Sequence, residues 1–507
     1  MHIAREHLLE MDLHDLYILS PELALVSLAI GLILLDIIIT RKELIPIIAV
    51  IGLVLPVSFA VALWFDPEIN TSAINSGVLE GTLVVDKFGL FFKFLVIAVV
   101  GLVFLASTDH INKFPRFRTE YYALVMLSSA GMMLLASAVE FITIYVALEL
   151  TALPVAALVA FGREERSAEA GMKFLILSAI SSAILLYGMV IVYGFTGSTN
   201  LEDIASVFGS YRVPDTTIPF GSNAMLFGVI LIIAGFGFKI AVFPFHMWAP
   251  DVYEGAPTPI TAFLSVASKA AGFAVVLRVF NTALDLPIIS VEWSIVFAVM
   301  SACSMTIGNL IAIRQKDIKR LLAYSTIAHA GYILVGVASI GSADGDSSGS
   351  SAVLFYLSGY AATNLAAFTV VIAISERIGS FAIDDFAGMA KRAPFLAAVL
   401  AFSMVSLIGV PPAVGFVTKV YIFGSAIESN LAWLAVVGVI NSVISAYYYL
   451  RVVKVMYLSP ANTEDPIQVG LSMKVAIIVS FIALLGFGLY PTPLLKLAAA
   501  AAAGIVA

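Results

Sequence analysis

Charge is what this sequence has least of. Only 12% of its 507 residues are charged, against 61% hydrophobic, whereas a soluble domain carries about 25% charged residues. Length alone would suggest roughly three soluble domains, and the charge deficit excludes them. Cysteine is nearly missing too. Cys303 stands alone, which excludes disulfides and any iron–sulfur cluster held by this chain unaided. Six scattered histidines show neither HExxH nor CxxC spacing, so no metal site is expected. Neither a G-x-G-x-x-G nor a Walker-type loop occurs, and nucleotide binding has no support. Residues 1–15 (MHIAREHLLEMDLHD) are too polar and acidic for a signal peptide. The first apolar segment is therefore expected to act as its own insertion signal.

What fills the chain instead is a series of apolar runs of eighteen or more residues, the length a bilayer demands of a helix. Runs bounded by charge or turn residues predict an all-α polytopic membrane protein with about fourteen spans. They fall near 20–40, 44–64, 87–106, 120–138, 140–161, 173–195, 223–247, 259–280, 290–312, 320–341, 352–375, 394–425, 431–456 and 471–490. The twelfth is too long for one straight crossing. Connections after odd-numbered spans collect the basic residues: Arg41, Lys42, Lys113, Arg116, Arg118, Arg163, Arg166, Lys173, Arg314, Lys316, Lys319, Arg320, Arg377, Lys391, Arg392, Arg451 and Lys454. Connections after even-numbered spans are expected to carry Asp66, Glu68, Glu80, Asp251, Glu254, Asp344, Asp346 and Glu428, with Lys87, Arg212 and Arg278 as exceptions. The positive-inside rule then puts the basic loops in the cytoplasm and both termini outside.

A few ionisable residues remain within the hydrocarbon: Glu149, Lys239, Lys269, His329 and Lys419. Each mid-membrane charge costs about 2.5–3.5 kcal/mol on insertion scales, so five unpaired groups would cost roughly 10–15 kcal/mol. Pairing inside a bundle removes most of that penalty. Groups balanced between desolvation and an opposite charge gain and lose protons readily. A single buried pair would serve as well to lock two helices together; three lysines on three helices exceed what such a lock needs. Lys87 and Lys93, near a span end, are expected to snorkel, and Glu140 to sit at an interface.

Two spans carry helix breakers beside their charge. The seventh reads 235-GFGFKIAVFPFHMWAP-250 and the twelfth 406-SLIGVPPAVGFVTKVY-421. Proline removes a backbone hydrogen bond, and broken helices survive in lipid only where they line a buried polar cavity. Paired breaks in corresponding halves point to inverted repeats. Lys239 and Lys419 are 180 residues apart, as are Glu149 and His329. Spans 4–8 and 9–13 thus form two five-helix units, and an odd number of crossings inverts the second. The expected divisions are 1–119 (first three helices), 120–280 (first repeat), 281–456 (second repeat) and 457–507 (helix 14 and tail). Pro244, Pro411, Pro412 and His246 are candidate gating positions, His246 equally a structural residue bonded to the broken helix's free carbonyls.

The block 239-KIAVFPFHMWAPDVYEGAPTPITAFLSVASKAAGF-273 resembles the signature of the proton-pumping, antiporter-like membrane subunits of complex I. Together with 313-IRQKDIKRLLAYSTIAHAGYIL-334 and 409-GVPPAVGFVTKVYIF-423, it is similar to the subunit N group of NADH-quinone oxidoreductase. The resemblance implies a half-channel in each repeat joined by a hydrophilic axis. Carried over by position, it makes Glu149 the carboxylate partner of Lys239, Lys269 the connecting lysine, His329 the helix-10 group and Lys419 the terminal lysine. Tyr324, Ser325 and Thr326 are candidate water-organising groups. The resemblance also implies proton translocation coupled to quinone reduction in partner subunits, which would hold the flavin and iron–sulfur clusters. This chain would hold no cofactor and bind no nucleic acid, and would sit in a bacterial inner membrane among other membrane-arm subunits and the peripheral redox arm. A cation/proton antiporter subunit and a non-pumping scaffold are the alternatives.

Overall fold

In a computed structural model, the chain is described over residues 13–506 except 40, 67–76, 79–80, 163, 211–220, 286–288, 342–347 and 462–464. Among the described residues, twelve helices are long and apolar enough to cross a membrane. They are α1 (Ser20–Ile38), α2 (Lys42–Trp64), α3 (Lys87–Ser107), α4 (Arg118–Ser137), α5 (Phe141–Gly162) and α6 (Glu165–Thr196). After these come α8 (Thr258–Thr282), α9 (Ser290–Ile313), α10 (Ile318–Ile340), α11 (Ser348–Ile378), α13 (Ala432–Leu458) and α14 (Leu471–Leu489). Two further crossings are each split in two: α7a (Gly221–Lys239) with α7b (Trp248–Gly255), and α12a (Pro394–Ile408) with α12b (Val414–Glu428). Counting the two split crossings, the expected fourteen spans are present among the described residues. Helix is the form these runs take because no water in lipid satisfies a bare backbone. Acidic caps fix three starts: Asp86 before α3, Glu140 before α5 and Asp317 before α10 accept backbone N–H bonds in the first turn. Glu140 thus does more than sit at an interface.

Loop contacts group the helix ends into two faces. On one face, Lys42 pairs with Asp36 and Asp36 accepts from Thr119. His110 and Lys113 meet Glu376, Arg392 reaches the Asp465 carbonyl, and Arg451 donates to Ile313 O and Gln315 O. The opposite face joins Asp86 to Arg278, pairs Glu140 with Asn200, and bonds Ser429 to Ser339 O. Arg278, an exception to the charge rule, is neutralised by that Asp86 contact. Both described ends lie on this second face: Tyr17 bonds Asp66, and Gly504 lies against the start of α3. Glu68, Glu80, Arg163, Arg212, Asp344, Asp346 and most of segment 1–15 lie outside the described residues.

Three expectations are corrected. Asp251 and Glu254 sit in α7b, the second half of the seventh crossing, and belong to the basic face, where they pair with Lys173 and Arg320. Acid there neutralises base rather than marking the other side. Lys93 does not snorkel; its Nζ lies 2.8 Å from Glu22 Oε1, both side chains buried between α3 and α1. Six residues into its helix, Lys93 is about 9 Å from the helix start, and a carboxylate is nearer than water. The tail beyond α14 is also ordered. It forms α15 (Thr492–Val506), which buries Ala498, Ala501, Ala502 and Ile505. Among the described residues, one strand pair is present, the hairpin β1 (Gly77–Val78) and β2 (Leu83–Val84), with Gly81 at φ +83° between them.

Burial is uneven. α8 and α11 are wholly enclosed and α10 nearly so, whereas α1, α6 and α14 present most of their surface outward. Lys269 and His329 lie on the enclosed helices α8 and α10.

Candidate functional site: a buried line of lysine, histidine and tyrosine

Lys239 is the last residue of α7a, where the carbonyl end of the helix dipole favours a cation. The helix stops there because Ala241 turns left-handed (φ 56°) and Pro244 has no backbone N–H with which to continue it. The amides freed by the break are collected: Ala241 N reaches Phe238 O, Val242 N reaches Gly237 O, and Phe243 N donates to Ser304 Oγ on α9. Trp248 Nε1 closes the gap by donating to Phe238 O at 2.9 Å. Lys239 Nζ is buried with no hydrogen-bond partner among the described residues. Glu149 on α5 acts on it electrostatically but forms no ion pair with it. Pro154, four residues after Leu150, leaves the Leu150 carbonyl without its helical donor, so α5 has an open acceptor beside Glu149.

Lys269 follows a π turn at Leu264–Ser268; such bulges gather at functional sites. Its Nζ donates to Thr326 O on α10 at 2.5 Å. His329 lies three residues further along α10. Its Nδ1 shares a 2.8 Å hydrogen bond with Tyr356 OH from α11, and its Nε2 a 3.4 Å bond with Tyr449 OH from α13. Tyr332, another three residues on, places its ring 5.5 Å from the His329 ring. Lys419 Nζ then stands 4.4 Å above the Tyr332 ring centroid, a cation–π arrangement. It donates to Leu407 O (3.1 Å), Ile408 O (2.9 Å) and Ser442 Oγ (3.0 Å). Ser442 in turn donates to Tyr332 OH, which also accepts from Asn309.

Thr326, His329 and Tyr332 therefore form one stripe of α10 that runs from Lys269 to Lys419. Three of the five expected residues, Lys269, His329 and Lys419, are brought onto this line; Lys239 lies against α8 at Gly272, and Glu149 acts on it from α5. Pro244, Pro411 and Pro412 all fall in the two breaks, each with a cis X–proline bond. The breaks are not equivalent around the lysine: Lys239 precedes its break, whereas Lys419 follows its own and reaches back across it. His246 does not bond the broken helix's carbonyls among the described residues. Its ring packs on Phe243 and its Nδ1 is buried without a partner. Ser325 bonds Tyr449, and Thr326 offers its carbonyl rather than its hydroxyl, which turns back to Ala323 O. Tyr324 is half-buried outside the line.

Tyr332, Tyr356, Tyr449, Asn309 and Ser442 were not foreseen. The i, i+3 spacing of His329 and Tyr332 signals the first; the rest come from other helices. Lys319, a loop charge by sequence, is buried and donates to Glu254 O (2.8 Å) and Ala256 O (2.7 Å), closing the end of α7b from α10.

Residues 138–445 match the family described as NADH:quinone oxidoreductase/Mrp antiporter, transmembrane. The chain is 41% identical to NADH-quinone oxidoreductase subunit N of Dehalococcoides mccartyi over 94% of its own length and 97% of that protein's. It is similar to a chain of respiratory complex I from Thermus thermophilus at 30% identity and a TM-score of 0.77, covering 94% of this chain and 98% of that one. A chain of the Mrp complex from Dietzia sp. shares the fold at 22% identity, with a TM-score of 0.83 over 98% of each chain.

Proposed function

Because the chain belongs to the NADH:quinone oxidoreductase/Mrp antiporter transmembrane family, within its subunit N group, we propose that it is a proton-translocating membrane-arm subunit of an NADH-quinone oxidoreductase. It works in a bacterial inner membrane beside other membrane-arm subunits, with its basic face in the cytoplasm and its termini outside. Flavin, iron–sulfur clusters and quinone belong to partner chains; one cysteine cannot ligate a cluster. Residues 120–280 and 281–456 are the two repeats, each contributing half of the route.

The observation that carries this reading is the stripe from Lys269 through His329 and Tyr332 to Lys419, whose side chains are all buried. Glu149 favours the charged form of Lys239. A conformational signal that withdraws the carboxylate loosens that proton, which passes by water to Lys269, along α10, and to Lys419 for release outside. His246 and the prolines at both breaks set when the ends open.

Substitution Lys239→Ala in the intact complex tests it. Quinone reduction coupled to a proton gradient should collapse; survival of both refutes pumping through this site. The antiporter alternative predicts sodium-dependent exchange by the reconstituted chain without partners. A scaffold predicts full pumping in a Lys239→Ala/Lys419→Ala variant.

A further inference from the structure

α6 and α7a approach closely because small residues face each other: a Cβ on Gly235 would stand 2.5 Å from Leu185 Cβ, and one on Gly188 would stand 2.7 Å from Gly228 O. That approach brings a serine-rich face of α6 against Lys239. Between α5, α6 and α7a lies a cavity of about 20 Å³ lined by Ser178, Ser181, Ser182 and Lys239, with Leu148 and Ala152 closing the α5 side. Ser181 is already committed, its hydroxyl donating to Gly235 O at 3.2 Å. Ser178 and Ser182, one helical turn apart, remain half-buried on the same face. A single water needs roughly 10–15 Å³ and two to four polar partners. Here the space suffices for one, and the lining includes a buried ammonium without a hydrogen-bond partner among the described residues.

We propose that this cavity is a one-water site in which the Ser178 and Ser182 hydroxyls hold a water against Lys239 Nζ, making the serine face of α6 the positioning element for proton delivery to Lys239. The proposal rests on Lys239 being a proton carrier. The water accepts a proton on its oxygen and passes one to the neutral amine, so its own composition is unchanged. The same helix leads back to the basic face. There Arg166, Glu169, Lys173, Asp251, Glu254 and Arg320 surround an open cavity of about 240 Å³, and Lys173 is roughly 7.5 Å along the axis from Ser178.

The test uses the whole complex in proteoliposomes, with quinone reduction and proton uptake measured together. Ser178→Ala/Ser182→Ala should slow proton uptake about tenfold, the effect of losing hydrogen bonds to a charged group. Ser182→Thr, which keeps the hydroxyl, should restore it, whereas the isosteric Ser182→Val should not. Equal rates for Thr and Val, or an unimpaired double-alanine variant beside an inactive Lys239→Ala, overturn the water site and leave the lysine's role standing. Unimpaired pumping in Lys239→Ala overturns that role itself. Should the double-alanine variant fail to assemble, the Thr/Val comparison decides alone.

Discussion

The Glu22–Lys93 pair can be taken apart one charge at a time. The Nζ–Oε1 separation is 2.8 Å with both side chains enclosed, and neither group has a hydrogen bond to other described residues. The contact is thus ionic without hydrogen-bond angles. At an effective dielectric of 20 the attraction is about 6 kcal/mol, offset by several kcal/mol of desolvation per ion. The net value of the pair is therefore small, but the cost of halving it is not. Lys93→Met or Glu22→Gln alone should destabilise by about 3–5 kcal/mol, with the lysine variant leaving a bare carboxylate between α1 and α3. The double variant should return to within about 1 kcal/mol of the native chain. Thermal and denaturant unfolding of the purified complex, followed by retention of this subunit, gives the cycle. Turnover per assembled complex should not change. Additive losses, or a Lys93→Met variant as stable as the native protein, would refute a buried pair and reinstate a lysine that reaches water.

Two further outcomes follow from the broken helix and the stripe. A Cβ on Gly415 would lie 1.8 Å from Ser406 O across the break; Gly415→Ala should destabilise by at least about 1–3 kcal/mol and deplete the subunit from purified complex. Gly486→Ala, with nothing within 4 Å, should assemble normally. Tyr356→Phe removes the hydroxyl at 2.8 Å from His329. It should cost only about 1 kcal/mol of stability while slowing proton transport measurably, and equal transport would remove Tyr356 from the route.

The number of crossings and both breaks were legible because apolar length and proline are local signals: nothing but the chain itself decides whether 406-SLIGVPPAVGF-416 continues as one helix. The buried charges were legible for the same reason. Their partners were not. Tyr356 and Tyr449 meet His329 from α11 and α13, 27 and 120 residues away, and no periodicity of α10 announces them. Lys93 misled because depth along a helix was judged without knowing that Glu22 faced it. Asp251 and Glu254 misled by count alone, since an acidic patch on the basic side breaks a charge rule that weighs Lys and Arg far more than Asp and Glu. α15 and the hairpin were missed because neither is long enough to announce itself as a crossing.

An ammonium has three hydrogens to give, and Lys419 spends all of them: two on the terminal carbonyls of α12a and one on Ser442. A neutral amine has only two. Were this nitrogen discharged on the proposed route, one of those three oxygens would lose its donor, and two of the three form the rim of the seam between the half-helices. The hydrogen bonding that holds the two half-helices together would then change with the charge on Lys419, unless the Ser442 hydroxyl turned to donate to the neutral amine.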